Sequence, residues 1–303
     1  MKKSKKSCFK KKFRQLQKVR TVKGTKDLLG KEIHIHNIIV SKFERLCKVM
    51  NFQQITTPIL ENCEIFTRSL GLSSDIVSKE MYNFIDQGND NLVLRPEGTA
   101  AIARAIITNS LEQDLNKFFY FGPMFRRERP QSGRLRQFHQ VGVEYIGSKN
   151  HLSDVEVILI AEQFLKDLKI REKLILEINS LGNEQSRYKY NLDLKKFFEK
   201  NISKLSEISK KRLNKNPLRI FDSKEKQDQE VVQGAPNIID YLDEESKFFF
   251  EELISSLDKL KIDYKINRFL VRGLDYYNHT AFEYITNDKK SQNTVLAEGD
   301  IMD

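Results

Sequence analysis

Apolar side chains recur along residues 31 to 50 as Ile35, Ile38, Ile39, Phe43, Leu46 and Val49, the three- and four-residue spacing of one helical face. That spacing predicts a helix ending before Asn51. The segment QQITTPIL reads as extended; polar turns follow, then a short helix across 63 to 70, a strand at 92 to 95, and a helix over 98 to 111 after the PEG turn. Residues 118 to 147, FFYFGPMFRRERPQSGRLRQFHQVGVEYIG, read as two strands joined by a loop. In the second strand Phe138, Gln140, Gly142 and Glu144 fall on one face, and His139, Val141, Val143 and Tyr145 on the other. One face is polar; the other has the character of core. Val155, Ile158, Leu159, Ala161, Phe164, Leu165 and Leu168 predict an amphipathic helix over 154 to 168 with Ser153 as its N-cap. KLILEINSLG reads as a strand. Residues 185 to 258 carry Lys, Glu, Leu and Phe without strand signals and predict mostly helices in a separate domain. Strand character returns at 262 to 285, where NRFLVRGLDYY and TAFEYIT are expected to pair.

The hairpin is where chemistry is expected. Gln140 and Glu144 flank Gly142, so a donor and two acceptor groups stand over backbone without a side chain, where a small polar ligand can lie close to the strand. The connecting loop carries Arg126, Arg127, Glu128, Arg129, Arg134 and Arg136, suited to an anion. The plain alternative is a solvent-facing hairpin whose charges are simply hydrated.

Composition narrows the class. The 303 residues, 39% hydrophobic and 31% charged, suit a soluble globular protein of one large or two smaller domains, and no apolar run approaches a membrane span. Cys8, Cys47 and Cys63 show no paired spacing, so neither a zinc site nor a disulfide framework is expected, and a reducing compartment fits. His34, His36, His139, His151 and His279 are scattered and read as surface or packing residues. A net charge of +10, from 52 Lys and Arg against 42 Asp and Glu, favours a polyanionic partner. Much of that excess lies at the start, where the first 26 residues hold no acid; a solvated tail is expected, with an RNA-binding arm or a targeting remnant as alternatives.

The order FRRERP, loop, RQFHQVGVE resembles motif 2 of class II aminoacyl-tRNA synthetases, in the form found in the histidyl-tRNA synthetase family. LVRGLDYYNHTAFEY at 270 to 284 is similar to that family's histidine-specific signature. KGTKDLL at 23 to 29 resembles its entry segment, and TTPILE at 56 to 61 resembles motif 1, with Pro58 ending a helix and starting a strand. LVLRPEGTA at 92 to 100 resembles its amino-acid-binding strand and turn, and NPLRIFDSK at 216 to 224 a landmark of its insertion domain. The resemblance spans about 21 to 295. It implies an α+β class II catalytic fold, an antiparallel sheet flanked by helices, with a helical insertion domain. The corresponding division is a basic tail at 1 to 20, catalytic parts at 21 to 178 and 261 to 303, and the insertion at 179 to 260. A homodimer follows by analogy, through motif 1.

The implied reaction joins histidine to tRNA(His) by way of an adenylate. A carboxylate must attack the α-phosphate of ATP, and two anions repel until cations neutralise them. Guanidinium groups match both partners with a planar fork. The resemblance therefore casts Arg126 and Arg272 as the catalytic pair. It casts Glu97, Thr99 and Gln140 as holding the α-amino group, Glu144 and Tyr277 as contacting the imidazole, and Tyr276 as pocket wall or core aromatic. For ATP it implies Glu128 on the adenine amino group, Phe138 on the ring and Arg136 on the terminal phosphates, with Mg²⁺ arriving on the nucleotide and no metal site of the protein's own. Arg129 and Gln131 become candidates for the tRNA acceptor end. The expected location is a soluble phase, cytoplasmic or organellar, a plastid stroma included, and not secreted.

Beyond SQNTV the family continues into further strands, motif 3 and an anticodon-binding domain, whereas this chain reads LAEGDIMD. The expectation is a truncated or frame-shifted end, lacking motif 3 and the anticodon domain, with the activity of this form open. Two other readings stand beside it. One is a non-catalytic, histidine-binding regulatory paralogue of the ATP phosphoribosyltransferase type, against which the intact FRRERP and RGLDYYNHT runs argue. The other is an RNA-binding fragment, whose tRNA affinity would fall steeply with salt.

Overall fold

In the computed structural model the described residues are 20–71, 74–128, 134–271, 277–286 and 295–302. Helix α1 (Lys31–Val49) stops where Asn51 turns to φ 60°, a left-handed conformation that Asn tolerates, and the Phe52 N–H closes onto the Cys47 carbonyl at 2.9 Å. Strand β1 (Gln53–Gln54) follows, so the chain is already extended before Pro58, which precedes β2 (Leu60–Asn62). Next come α2 (Cys63–Leu70), a π-helical turn at Ile76–Glu80, β3 (Tyr82–Ile85) and β4 (Asn91–Leu94). Helix α3 (Thr99–Thr108) ends three residues short of the predicted 111.

The hairpin consists of β5 (Asn116–Phe125) and β6 (Gln137–Ile146), antiparallel over ten pairs from Asn116 opposite Ile146 to Phe125 opposite Gln137. Strand β1 runs parallel to β5 on its other edge. Val141, Val143 and Tyr145 pack against Phe43 and Cys47 of α1, Phe119, and Ile160 of the following helix, so the alternation in the sequence did mark a core face. His139 stands apart at the exposed end of that face, its ring edge-on to His36 at 4.6 Å.

Helix α4 (His151–Asp167) begins three residues earlier than predicted, capped by Asn150 rather than Ser153. Asn150 is extended and its side chain accepts from Leu152 N–H at 2.9 Å, while Ser153, already helical, donates its hydroxyl back to the Asn150 carbonyl. Strand β7 (Leu174–Ser180) is the third member of a four-stranded sheet with β8 (Tyr264–Ile266), β9 (Tyr277–Thr286) and β10 (Val295–Met302), in the order β10-β9-β7-β8. Of NRFLVRGLDYY, expected to pair with TAFEYIT, residues 272–276 lie outside the described residues; the described part, 267–271, is turn and irregular chain, and β9 pairs antiparallel with β7 on one side and β10 on the other. Antiparallel pairs dominate the three sheets, as expected for the α+β class.

Between β7 and β8 lie α5 (Glu184–Lys200), α6 (Glu207–Leu213), α7 (Lys226–Val232) and α8 (Glu244–Lys259). The first three gather around Tyr190, Leu194, Phe198, Leu213, Ile220 and Val232, a core that also takes in Leu270, Val271 and Ala281. Helix α8 packs elsewhere: Phe250, Leu253 and Leu257 join Ile158 and Leu165 of α4 on the face of β7 and β9. Among the described residues no helix is long and apolar enough to cross a membrane.

The predicted stripe on α1 is only partly core. Phe43 is buried, but Ile35, Ile38 and Val49 stay exposed, with Ile33 beside them and Ile59 and Leu60 on the motif 1 segment. Helical periodicity names the apolar face without saying what covers it.

Candidate active site

Pairing β5 with β6 in this register sets Phe118, Tyr120, Gly122 and Met124 opposite Glu144, Gly142, Gln140 and Phe138, so all eight share the face away from α1. The PEG turn enters from β4. Glu97 is buried and bends over the start of α3, where its two oxygens accept from Thr99 N–H at 2.6 Å and Ala100 N–H at 3.0 Å. The helix thus begins on an acidic side chain, the charge its N-terminus favours. Thr99 in turn donates its hydroxyl to Glu144 across the gap to β6, at 2.8 Å. Glu97, Thr99 and Glu144 therefore form one connected group built from two distant parts of the sequence.

Burial pushes both carboxyls up, since removal from water penalises the charged form. For Glu144 burial pushes the pKa up to about 8; the Thr99 hydroxyl opposes this, and the neighbouring Glu97 charge adds a smaller upward push. Arg126 lies close enough to Glu97 to favour its ionised form; its Nε donates to the Pro96 carbonyl at 2.9 Å, and its guanidinium covers the Phe138 ring at 5.4 Å. A cation, two shielded acids and an aromatic plate thus meet at the mouth of the hairpin.

Gln140 supplies the amide of the group. Its Nε2 donates to the Tyr120 hydroxyl at 3.2 Å, while its Oε1 is buried and accepts no hydrogen bond among the described residues. A buried acceptor left open is costly unless something donates to it. The surface over Gly142 is not bare, in contrast to the expectation from sequence. Its strand partner Tyr120 lays its ring there, wedged between Gly98 and Gly142, so that a Cβ added at either glycine would come within 2.4 Å of the ring. Sequence reasoning missed Tyr120. Strand parity counted back from the loop would have found it, because it falls on the same face as Gln140 and Glu144.

Arg95 was also missed. It is buried, and its guanidinium donates to the Thr57 carbonyl at 2.9 Å, the Thr57 hydroxyl at 3.1 Å and the Pro123 carbonyl at 3.1 Å, joining the motif 1 segment to β5. At the loop end, Arg136 N–H donates to the Gly24 carbonyl at 2.7 Å, which brings in the KGTKDLL segment. Arg136 Nε reaches the Glu128 carbonyl at 3.3 Å, and the Glu128 carboxylate pairs with Arg134 at 2.8 Å. Glu80, its pKa raised by burial and by Glu128, receives Arg127 N–H on its carbonyl at 2.7 Å.

Of the residues singled out from the sequence, Arg126, Glu97, Thr99, Gln140, Glu144 and Phe138 converge on this face, and Glu128 and Arg136 stand at its loop end. Arg129, Gln131, Arg272 and Tyr276 lie outside the described residues, as does the side chain of Tyr277, whose backbone opens β9. Among the described residues no group of three or more His, Cys, Asp or Glu side chains could hold a metal ion.

The family model described as Histidyl-tRNA synthetase matches residues 24–299. A chloroplastic histidine--tRNA ligase of Gracilaria tenuistipitata var. liui is 49% identical over 279 residues, covering 92% of this chain and 66% of that protein. The histidine--tRNA ligase of Rickettsia conorii is 47% identical over 284 residues, covering 93% and 69%. The chain thus spans about two thirds of the length of the curated relatives it matches. Among solved structures, apo histidyl-tRNA synthetase of S. aureus superposes with a TM-score of 0.74 at 34% identity, over 93% of this chain and 66% of that one. Acid, amide and arginine side chains facing one another across the hairpin and the PEG turn, and a family match over nearly the whole length, lead to one statement: the chain belongs to the histidyl-tRNA synthetase family.

Proposed function

We propose that this chain is a histidine--tRNA ligase, activating histidine with ATP and passing the histidyl group to tRNA(His). The observation that carries the reading is the single cluster of Arg126, Glu97, Thr99, Gln140 and Glu144 on one face of the hairpin. The α-ammonium of histidine meets Glu97, the Thr99 hydroxyl and the open Oε1 of Gln140. Glu144 accepts from the imidazole N–H, aided by Tyr277, with Tyr276 walling the pocket. An acceptor that must be paired to be stable rejects phenyl and aliphatic side chains more strongly than shape alone.

Arg126 and Arg272 neutralise the α-phosphate and the attacking carboxylate. As that carboxylate oxygen bonds to phosphorus, pyrophosphate leaves, and charge developing on the phosphoryl oxygens is met by fixed guanidinium groups. Glu128 accepts from the adenine amino group, Phe138 stacks on the ring and Arg136 takes the terminal phosphates. Mg²⁺ comes with those phosphates. Arg129 and Gln131 face the tRNA acceptor end. A second copy of the chain covers the exposed Ile33, Ile35, Ile38 and Val49 of α1, giving a homodimer, and the protein works in a soluble phase, cytoplasmic or plastidic.

Histidine-dependent exchange of pyrophosphate into ATP tests this directly. Exchange is expected with the chain as it stands, and Arg126→Ala or Arg272→Ala lowers its kcat by about 100- to 1000-fold, the usual cost of one preorganised donor. Exchange that either substitution leaves untouched would remove that arginine from the site.

A further inference from the structure

Strand β7, LILEINS, is apolar on one face and carries two polar residues on the other. Leu174, Leu176 and Ile178 join the core under α4 and α8, whereas Glu177 and Asn179 point the opposite way, toward the chain segment that leads into the histidine-specific signature. Glu177 is 8% exposed and Asn179 is 0% exposed. Both are used on that segment. The Glu177 carboxylate accepts from the Asn267 side-chain amide at 2.5 Å, and the Asn179 amide donates to the Leu270 carbonyl at 2.9 Å. Backbone contacts reinforce the seat, with Asn267 N–H on the Ile178 carbonyl and Leu270 N–H on the Asn267 carbonyl, both at 2.9 Å.

Asn179 is an expensive residue in this place. Its strand partner is Ala281, it touches Leu270, and its Oδ1 is buried with no hydrogen-bond partner among the described residues. Half of its polar capacity is unmet where an aliphatic side chain would leave nothing unmet. What the amide supplies is a fixed point on the chain at Leu270, only two Cα steps of about 3.8 Å each before Arg272.

We propose that Asn179, seconded by Glu177, is a positioning residue for the signature arginine: it pins the backbone at Leu270, two residues before Arg272 in the sequence. The inference rests on the role given to Arg272 above. It assigns no contact with substrate to Asn179. The physical logic is that a guanidinium must be held close to its productive position before reaction, and a loop gains that only from a rigid element beneath it.

The test uses Asn179→Leu in the full chain, which removes the donor and keeps the volume. Hydrogen exchange read by mass spectrometry should show a tenfold or greater loss of protection in peptides spanning 268 to 276, with β7 and α5 peptides unchanged. Protection equal to wild type there overturns the anchor. In pyrophosphate exchange, kcat should fall at least tenfold and the histidine KM should rise with it, because Tyr276 and Tyr277, assigned above to the histidine pocket, follow Arg272 on the same segment. In an Arg272→Ala background the same substitution should cost less than twofold. A loosened segment with unchanged kcat overturns the link to the chemistry. Should Asn179→Leu fail to fold, Glu177→Gln, which weakens the ion pair that Lys265 makes with Glu177 at 3.5 Å and keeps an acceptor for Asn267, must leave protection nearly intact, whereas Glu177→Leu must loosen the same peptides. No histidine-dependent exchange in wild type would sink the functional reading, and the anchor would then stand or fall on the protection data alone.

Discussion

Two buried carboxylates behave in opposite ways in this molecule. Asp228, among the helices between β7 and β8, is 0% exposed and accepts four hydrogen bonds: from Ser206 N–H at 2.8 Å and from the hydroxyls of Ser206, Ser209 and Ser223 at 2.7, 2.6 and 2.5 Å. Burial by itself would raise its pKa, but those donors outweigh it and hold the group below the usual range. Glu144, on the hairpin, receives the Thr99 hydroxyl and faces a second buried acid, and its pKa climbs to about 8. The first carboxylate is finished by the fold. The second is shielded from water and left short of donors, a state that favours a ligand able to bring one.

The largest effect that could break the contrast is loss of Asp228. Asp228→Ala orphans four donors at the start of α6 and beside α7, and should lower unfolding stability by on the order of 4 kcal/mol. Denaturant or thermal unfolding measures it. A loss below about 1 kcal/mol would mean that the serines are hydrated and the hub is not structural.

Glu144→Gln should do the reverse for the fold and harm only recognition. It replaces a group already driven toward neutrality, so stability at pH 7 should hold or rise, while the KM for histidine climbs about tenfold or more. A destabilised variant with unchanged KM would reduce Glu144 to a packing residue.

The smallest and most discriminating effect is in pH. The folded-state pKa of Glu144 is raised, so the folded chain holds a proton that the unfolded chain releases above its ordinary value near 4.5. Its penalty on stability therefore grows from about pH 4.5 to about pH 8, and the advantage of Glu144→Gln over wild type should grow over the same window. For Asp228 the shift is downward, so its contribution is fully present above the ordinary value and is lost as pH falls through the lower folded one. The deficit of Asp228→Asn should therefore shrink on acidification. Parallel trends for the two variants would erase the distinction.

Local chemistry was legible in the sequence wherever the deciding forces act within a few residues. Helical spacing fixed α1 to within a residue at its end, alternation found the hairpin and its core face, and the order of motifs gave the family. The cap of α4 was misread because Asn150 and Ser153 both suit the role, and only the backbone geometry decides which residue is extended. Over 267–271, the described part of the strand expected there, the chain is irregular for a different reason. Its apolar residues Leu270 and Val271 are buried against the helices between β7 and β8, and nothing in a strand-like run of residues tells whether a sheet edge is available for it.

By itself, then, the sequence determined where the helices lie along the chain, though not where α3 ends or α4 begins, which face of the hairpin is polar, and which family the chain resembles, since periodicity and motif order are properties of neighbours along the chain. Tertiary structure alone decided that Tyr120 fills the space over Gly142, that Glu97 and Thr99 reach Glu144 across the hairpin, and that Asn179 holds Leu270. Each of these depends on strand register and on burial that distant segments create together. Such contacts carry no local signature, because their energy comes from removing water between residues far apart in the chain.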